Sequence, residues 1–166
     1  MAPSIRPARP DDADAMCAIL NPLIAAGGST AHRRPFDATR MLHHYLAPDE
    51  LVSCVVAELD GRVVGFQSLV WADDPEDPLP EGWAVIASFV QRGLTGLGIG
   101  RAMFEATRVA AKAARVVAMD ATIRADNPAG LRYYAAMGFD DWDLLSAVPL
   151  SDGTPVDRIR KRYDSI

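Results

Sequence analysis

The sequence is poor in cysteine, in histidine and in long apolar runs, and each shortage excludes a class of protein. Its 166 residues hold 2 cysteines and 3 histidines. Cys17 and Cys54 lie far apart and form no CxxC pair, which argues against a disulfide scaffold or a zinc ribbon and fits a reducing cytoplasm. There is no HExxH stretch, and His32, His43 and His44 do not combine with cysteine at metal-ligand spacing, so no metal is expected. No apolar run reaches the roughly 18 residues that a membrane helix needs. The opening stretch MAPSIRPARPDDADAM has no apolar core and carries acids early, so no secretory signal is expected and the cytoplasm is the expected compartment. An excess of base is missing too. Acids outnumber bases 22 to 17, a net charge of −5, which argues against nucleic acid or an anionic membrane as partner.

What is present is ordinary for a folded protein: 49% hydrophobic and 23% charged residues, with no internal repeat. The length suits one domain over residues 1–166, able to bury roughly 70% of the surface its unfolded chain exposes.

Local patterns suggest an element order. Ser4 to Ala8 reads as a strand, and Asp11 as the cap of a helix with an acidic first turn that includes Leu23, with Asn21-Pro22 near its end and a loop over Gly27 to Pro35. Asp37 caps a second short helix running to Leu46. Leu51–Leu59 and Arg62–Trp71 are β-rich runs around Asp60-Gly61, a strong hairpin signal. An acidic, proline-rich loop over 73–82 precedes a strand at Trp83–Val90, and its carboxylates read as a solvated surface. Ile99 to Arg115 has helical periodicity, Val116 to Arg124 reads as a strand, and Asn127 to Met137 is a helix closed by Gly138. Phe139–Val148 and Pro155–Tyr163 close the chain as paired strands, the basic residues Arg158, Arg160, Lys161 and Arg162 reading as protection of a sheet edge. The order β-α-α-β-β-β-α-β-α-β-β implies a mixed α/β (α+β) layer on one sheet.

Four of the 12 glycines, Gly93, Gly96, Gly98 and Gly100, crowd into the loop between the strand at Trp83–Val90 and the helix from Ile99. Glycines let backbone approach a ligand closely, and the first N–H groups of a helix have no intrahelical partner, so such a unit suits an anion. A Walker loop is excluded because no Gly-Lys pair occurs. A dinucleotide fingerprint starting at Gly96 finds Arg101 where its third glycine belongs, although Asp120 stands at the expected distance for the ribose. The segment Gln91–Arg115 carries +4 within a chain whose remainder carries −9.

Thr95-Gly96-Leu97-Gly98-Ile99-Gly100, followed by Arg101-Ala-Met-Phe104, resembles the acyl-CoA loop of the GCN5-related N-acetyltransferase (GNAT) superfamily, pattern [QR]xxGx[GA], with Thr95 in place of Gln or Arg. Asn127-Pro-Ala-Gly130-Leu-Arg-Tyr-Tyr134-Ala-Ala-Met-Gly138-Phe139 resembles the family's NxxAxxxYxxxGF block, with Gly130 in place of alanine. The N-terminal IRPARPDDADAM resembles the family's first strand and helix, so the likeness spans nearly the whole chain. It implies a mostly antiparallel sheet of about seven strands flanked by about four helices.

The resemblance implies acetyl-CoA (or another acyl-CoA) as co-substrate and a primary amine as acceptor, with direct transfer in a ternary complex. The pyrophosphate would rest on N–H groups from Thr95 through Gly96, Leu97, Gly98, Ile99 and Gly100 to Arg101, and the backbone of Phe89 and Val90 would hold the pantetheine in a splay between strands. Arg101 adds charge there or is a solvated helix residue. Asn127 contacts the cofactor or caps its helix. Tyr134 aligns with the tyrosine that faces the leaving sulfur, with Tyr133 packing on the sheet. Relatives place a general-base glutamate on the strand before the glycine loop. Here Glu81 is the nearest carboxylate, although it reads first as a loop residue kept for solubility, and Ser88 could position a water. His32 is the histidine worth testing. A faint likeness to the phosphinothricin-acetyltransferase branch suggests a small molecule or amino acid as acceptor. The alternatives are a protein N-terminal or ribosomal-protein acetyltransferase and a non-catalytic acyl-CoA-binding module. Homodimers are common for this fold.

Overall fold

A computed structural model describes residues 2–166. The elements are β1 (Ser4–Pro7), α1 (Ala13–Ala26), α2 (Ala38–Met41, continued by a π turn over Leu42–Leu46), β2 (Leu51–Leu59), β3 (Arg62–Trp71), β4 (Trp83–Val90), α3 (Ile99–Ala113), β5 (Ala118–Arg124), α4 (Pro128–Met137), β6 (Asp140–Pro149) and β7 (Pro155–Tyr163). They form one seven-stranded sheet in the order β1-β2-β3-β4-β5-β7-β6. Neighbours are antiparallel except β4 and β5, which run parallel because α3 crosses between them.

The Asp60-Gly61 hairpin forms where the sequence places it, with Asp60 and Gly61 both at positive φ. The first helix starts later than Asp11 predicts. A 3₁₀ turn covers Pro10–Asp12, and Asp12 is taken by Arg6 (2.8 Å to each oxygen) and the Arg9 amide (2.7 Å). α1 holds Pro22 near its end, as expected, and closes at Ala26 with Gly27 as its C-cap. Asn21 exchanges two hydrogen bonds with the Phe36 backbone, 2.9 and 2.7 Å, which ties the far end of the following loop back to the helix.

The core is split by the sheet. α1 and α2 pack with Phe66, Cys54 and Val56 on one face. α3 and α4 pack on the other face with Ile86, Met119, Ala121 and Ile123, and with Val55, Ala57 and Val64. Alternation along a strand therefore decides which face each residue of β4 and β5 serves.

The basic tail differs from its expected role. β7 is not an edge strand: it lies between β5 and β6, and β6 takes the edge. Two charges of β7, those of Arg160 and Lys161, are matched from within. Arg160 is buried between Asp120 and Asp77, and Lys161 pairs with Asp141. One carboxylate of the acidic loop, Asp77, is thus part of an ion network, with bonds of 2.7 and 3.1 Å to Arg160.

Among the described residues, no helix is long and apolar enough to cross a membrane, and no cluster of three His, Cys, Asp or Glu is placed to hold a metal.

Candidate active site

β4 and β5 pair only from Trp83↔Ala118 to Val85↔Asp120 and then part. From Ile86 to Val90 the β4 edge facing β5 has no strand partner, since its ladder bonds run to β3 on the other side. A cleft of about 620 Å³ opens in that splay. Its walls come from the end of β4, the glycine loop, the end of β5, α4, and the loop after α1.

The glycine loop forms one end. Gly93, Gly96 and Gly98 all have positive φ, a conformation that costs side-chain-bearing residues energy. Gly98, at φ 72°, is the N-cap of α3, and no side chain caps that helix. The first intrahelical bond is Ala102 to Gly98, so the amides of Ile99, Gly100 and Arg101 are free to face an anion. All seven residues from Thr95 to Arg101 line the cleft, as do Phe89, Val90 and Asn127. Asn127 caps α4 through the Gly130 amide (3.1 Å) and also donates to the Ser29 carbonyl (3.3 Å), so one side chain joins α4 to the loop after α1. Gly130 is small because a Cβ there would sit 2.5 Å from Asn127 Nδ2.

Gly100 has a different reason. Its φ is ordinary, but an added Cβ would meet the Tyr133 ring at 2.6 Å. Alanine normally beats glycine in a helix by about 1 kcal/mol. Gly100→Ala is expected to destabilise instead, by about 1–3 kcal/mol from the clash, and to weaken acetyl-CoA binding. Thermal unfolding and calorimetric titration check this; a raised melting temperature would refute the packing account.

A hydrogen-bond chain crosses the floor of the cleft. Tyr133 donates to the Gly100 carbonyl at 2.7 Å. That carbonyl can only accept, so the Tyr133 oxygen must accept from Gln67 Nε2 at 3.0 Å. The same amide nitrogen, fully buried on β3, donates to Ser88 Oγ at 2.8 Å. Ser88 Oγ in turn lies 2.9 Å from the Tyr134 hydroxyl. Gln67 Oε1 is left without a partner, the cost of turning both N–H groups toward the two hydroxyls. Burial pushes the Tyr133 hydroxyl up to about 12 and the Tyr134 hydroxyl higher still, so both stay protonated.

The opposite end carries His32, Tyr45, Thr30, Arg124 and Arg158. Phe36, Tyr45 and His44 pack around the His32 ring with centroids 4.8 to 5.8 Å away. Burial pushes His32 down to about 4, with His44 and Arg40 adding to the effect, so its imidazole is neutral near neutral pH.

Glu81 is not part of this site. It is exposed in the turn before β4 and does not line the cleft. Ser88 lies about 17 Å further along the strand from Trp83. No Asp or Glu is found among the described residues that line the cleft. Cys17 and Cys54 are buried elsewhere, and burial pushes the Cys54 thiol up to about 12.

The Acetyltransferase (GNAT) family model matches residues 18–139. The chain belongs to that family. The fold of the GNAT chain matches solved relatives end to end. A ribosomal-protein-alanine N-acetyltransferase from Brucella melitensis is 24% identical, with TM-score 0.82, covering 97% of this chain and 99% of that one. A GNAT superfamily phosphinothricin acetyltransferase from Sinorhizobium meliloti, solved in complex with AcCoA, is 19% identical, with TM-score 0.83, covering 98% and 88%. In sequence, an L-2,4-diaminobutyric acid acetyltransferase from Nocardia farcinica (strain IFM 10152) is 35% identical over 99 residues, 59% of this chain. That match spans about half the relative's length, 49%. The GNAT fold is shared equally by relatives named for proteins and for small molecules, so the fold does not choose the acceptor.

Sequence reasoning missed Gln67, Arg158 and the polar role of Tyr133. Gln67 stands alone inside an apolar strand, and an amide there had to find partners; that was the available signal. Nothing local marks Arg158 apart from its charged neighbours.

Proposed function

We propose that the protein transfers an acetyl group from acetyl-CoA to a primary amine of a small molecule or amino acid, directly and without a covalent enzyme intermediate. One observation carries this reading: the splay of β4 and β5 joins the free α3 amides to a buried tyrosine hydroxyl in one cleft. The thioester supplies an activated acetyl group whose sulfur leaves with developing negative charge.

The chain's residues divide the work. The amides of Ile99, Gly100 and Arg101 and the dipole of α3 hold the pyrophosphate, with Arg101 adding a charge. The free edge of β4 from Ile86 to Val90 offers N–H and C=O groups to the pantetheine. Tyr134 donates a hydrogen bond to the sulfur. A thiol has pKa about 8.5 and a tyrosine about 10; burial widens that gap, so Tyr134 stabilises the leaving thiolate without giving up its proton. Gln67 is a positioning residue. It donates to Ser88, whose Oγ lies 2.9 Å from the Tyr134 oxygen; with Ser88 as the donor of that pair, the Tyr134 hydrogen is left for the sulfur.

An amine of pKa about 10.4 is neutral in roughly one molecule in 2,500 at pH 7, about 4.6 kcal/mol of penalty. With no carboxylate in the cleft, solvent takes that proton, and the rate rises with pH through the acceptor's own pKa. Calorimetric titration with acetyl-CoA, then thiol release with a panel of amines, tests the reading. Binding plus amine-dependent release is expected. Binding with no amine-dependent release would leave an acyl-CoA-binding module, and no binding would sink the account of the loop.

A further inference from the structure

The end of the cleft opposite the glycine loop holds a cation that has no carboxylate partner among the described residues. Arg158 on β7 lies directly opposite Arg124 on β5. Like charges at one cross-strand position repel unless something offsets them. Arg124 is offset: its guanidinium forks onto Asp126 at 2.9 and 2.8 Å and donates to the Thr30 carbonyl at 3.1 Å. Arg158 has no carboxylate partner among the described residues, and its Nε is buried with no hydrogen bond. Burial, reinforced chiefly by Arg124 and offset only in part by Asp77, makes its charge harder to hold. An arginine nonetheless keeps its proton at any working pH, so the missing anion must come from outside.

The sheet's alternation puts that anion where an acceptor would lie. Ala121 and Ile123 face α3 and α4, so Thr122 and Arg124, with Arg158 opposite, face the side of α1 and the loop after it. Arg158 still lines the same cleft as Ser88 and Tyr134. The α3 amides and Arg101 serve the other end.

His32 adds no charge of its own there. Its Nε2 lies 2.6 Å from the buried Tyr45 hydroxyl, and burial keeps the imidazole neutral near neutral pH. A wall that carries a guanidinium, with no Asp or Glu among the described residues that line the cleft, suits a carboxylate better than a second ammonium.

We infer that Arg158 seats a carboxylate of the amine acceptor, so that the acceptors are amino acids and not polyamines or simple alkylamines; this rests on the acetyl-transfer reading above. The test uses the full chain with saturating acetyl-CoA and follows thiol release with the standard L-amino acids, each against its amide and its decarboxylated amine. At least one acid is expected to exceed its amide in kcat/KM by about 30-fold or more, as for loss of one partner of a partly buried charge pair. Arg158→Met is expected to raise KM for that acid by a similar factor and to bring the acid-to-amide ratio of kcat/KM down toward one, with KM for acetyl-CoA unchanged. Arg158→Lys is expected to keep part of the preference, and it serves if the Met variant does not fold.

Equal use of acids, amides and decarboxylated amines by the unaltered chain would overturn the carboxylate seat while leaving acetyl transfer standing. So would an acid preference that survives Arg158→Met. Thiol release with none of the amines would overturn the transfer reading itself, and the seat with it.

Discussion

Replacing Tyr134 with phenylalanine is expected to lower kcat by about a hundredfold, the usual loss when one donor to a developing anion is removed. KM for acetyl-CoA should hardly change, because the amides at the start of α3 and the β4 edge are untouched. Folding should hardly change either. The phenol ring keeps its contact with Phe139, centroids 5.1 Å apart, and Ser88 keeps its bond from Gln67. The pH profile separates this role from that of a titrating acid. A general acid with an ordinary tyrosine pKa would give a falling limb near pH 10, absent in the phenylalanine variant. Burial lifts Tyr134 beyond that range, so both proteins should show the same rising profile, offset by a constant factor. A Gln67→Leu variant should lose part of the same factor and add little to the loss from Tyr134→Phe, since both act through one hydrogen. A full rate in the phenylalanine variant would remove Tyr134 from the mechanism.

Asp120→Ala is expected to cost about 3–5 kcal/mol, the penalty for stranding a buried charge. For a chain of this length that is a fall in melting temperature of roughly 6–20 °C. Asp120 is fully buried and accepts from Arg160 at 3.1 and 2.8 Å, from Trp142 Nε1 at 3.0 Å and from Thr122 Oγ1 at 2.8 Å. Burial alone would lower the Arg160 pKa, but its bonds to Asp120 and Asp77 outweigh that and hold it above the ordinary value. Without Asp120, Arg160 keeps only the half-exposed Asp77 and its place over the Trp142 ring at 5.3 Å. The network stands at the last β4–β5 pair, Val85↔Asp120, where the strands begin to part. Loosening it should therefore weaken acetyl-CoA binding as well as the fold. Circular dichroism melts and calorimetric titration measure both; an unchanged melting temperature would show that the buried pair contributes nothing net.

Much of this architecture was legible in the sequence, because the signals for it are local. Asp60-Gly61 set the hairpin and its first pairs, Leu59↔Arg62 and Glu58↔Val63, and Pro155–Tyr163 carried its own strand pattern. The glycine cluster announced a loop whose backbone can approach an anion, and Gly93, Gly96 and Gly98 there take positive φ. What failed were readings that needed a neighbour's identity. Glu81 looked like a candidate base by its distance along the chain, yet strand geometry leaves it at the far end of β4 from Ser88. The basic residues of β7 looked like edge protection because nothing in their own segment reveals that β6 passes β7 and takes the edge. Asp120, placed where a dinucleotide fingerprint would want it, proved to be the buried partner of Arg160, 40 residues away.

The sequence by itself determined the elements, the glycine loop and the family, since periodicity, turn chemistry and a loop's φ angles are fixed by residues within a few positions of one another. Only the tertiary structure decided which charges are spent and which remain. Arg160 and Lys161 find carboxylates across the sheet, Arg124 takes Asp126 two residues on, and Arg158 has none among the described residues. Strand order and the alternation of faces make that choice, and both are set by the packing of the whole sheet and not by any one segment of it.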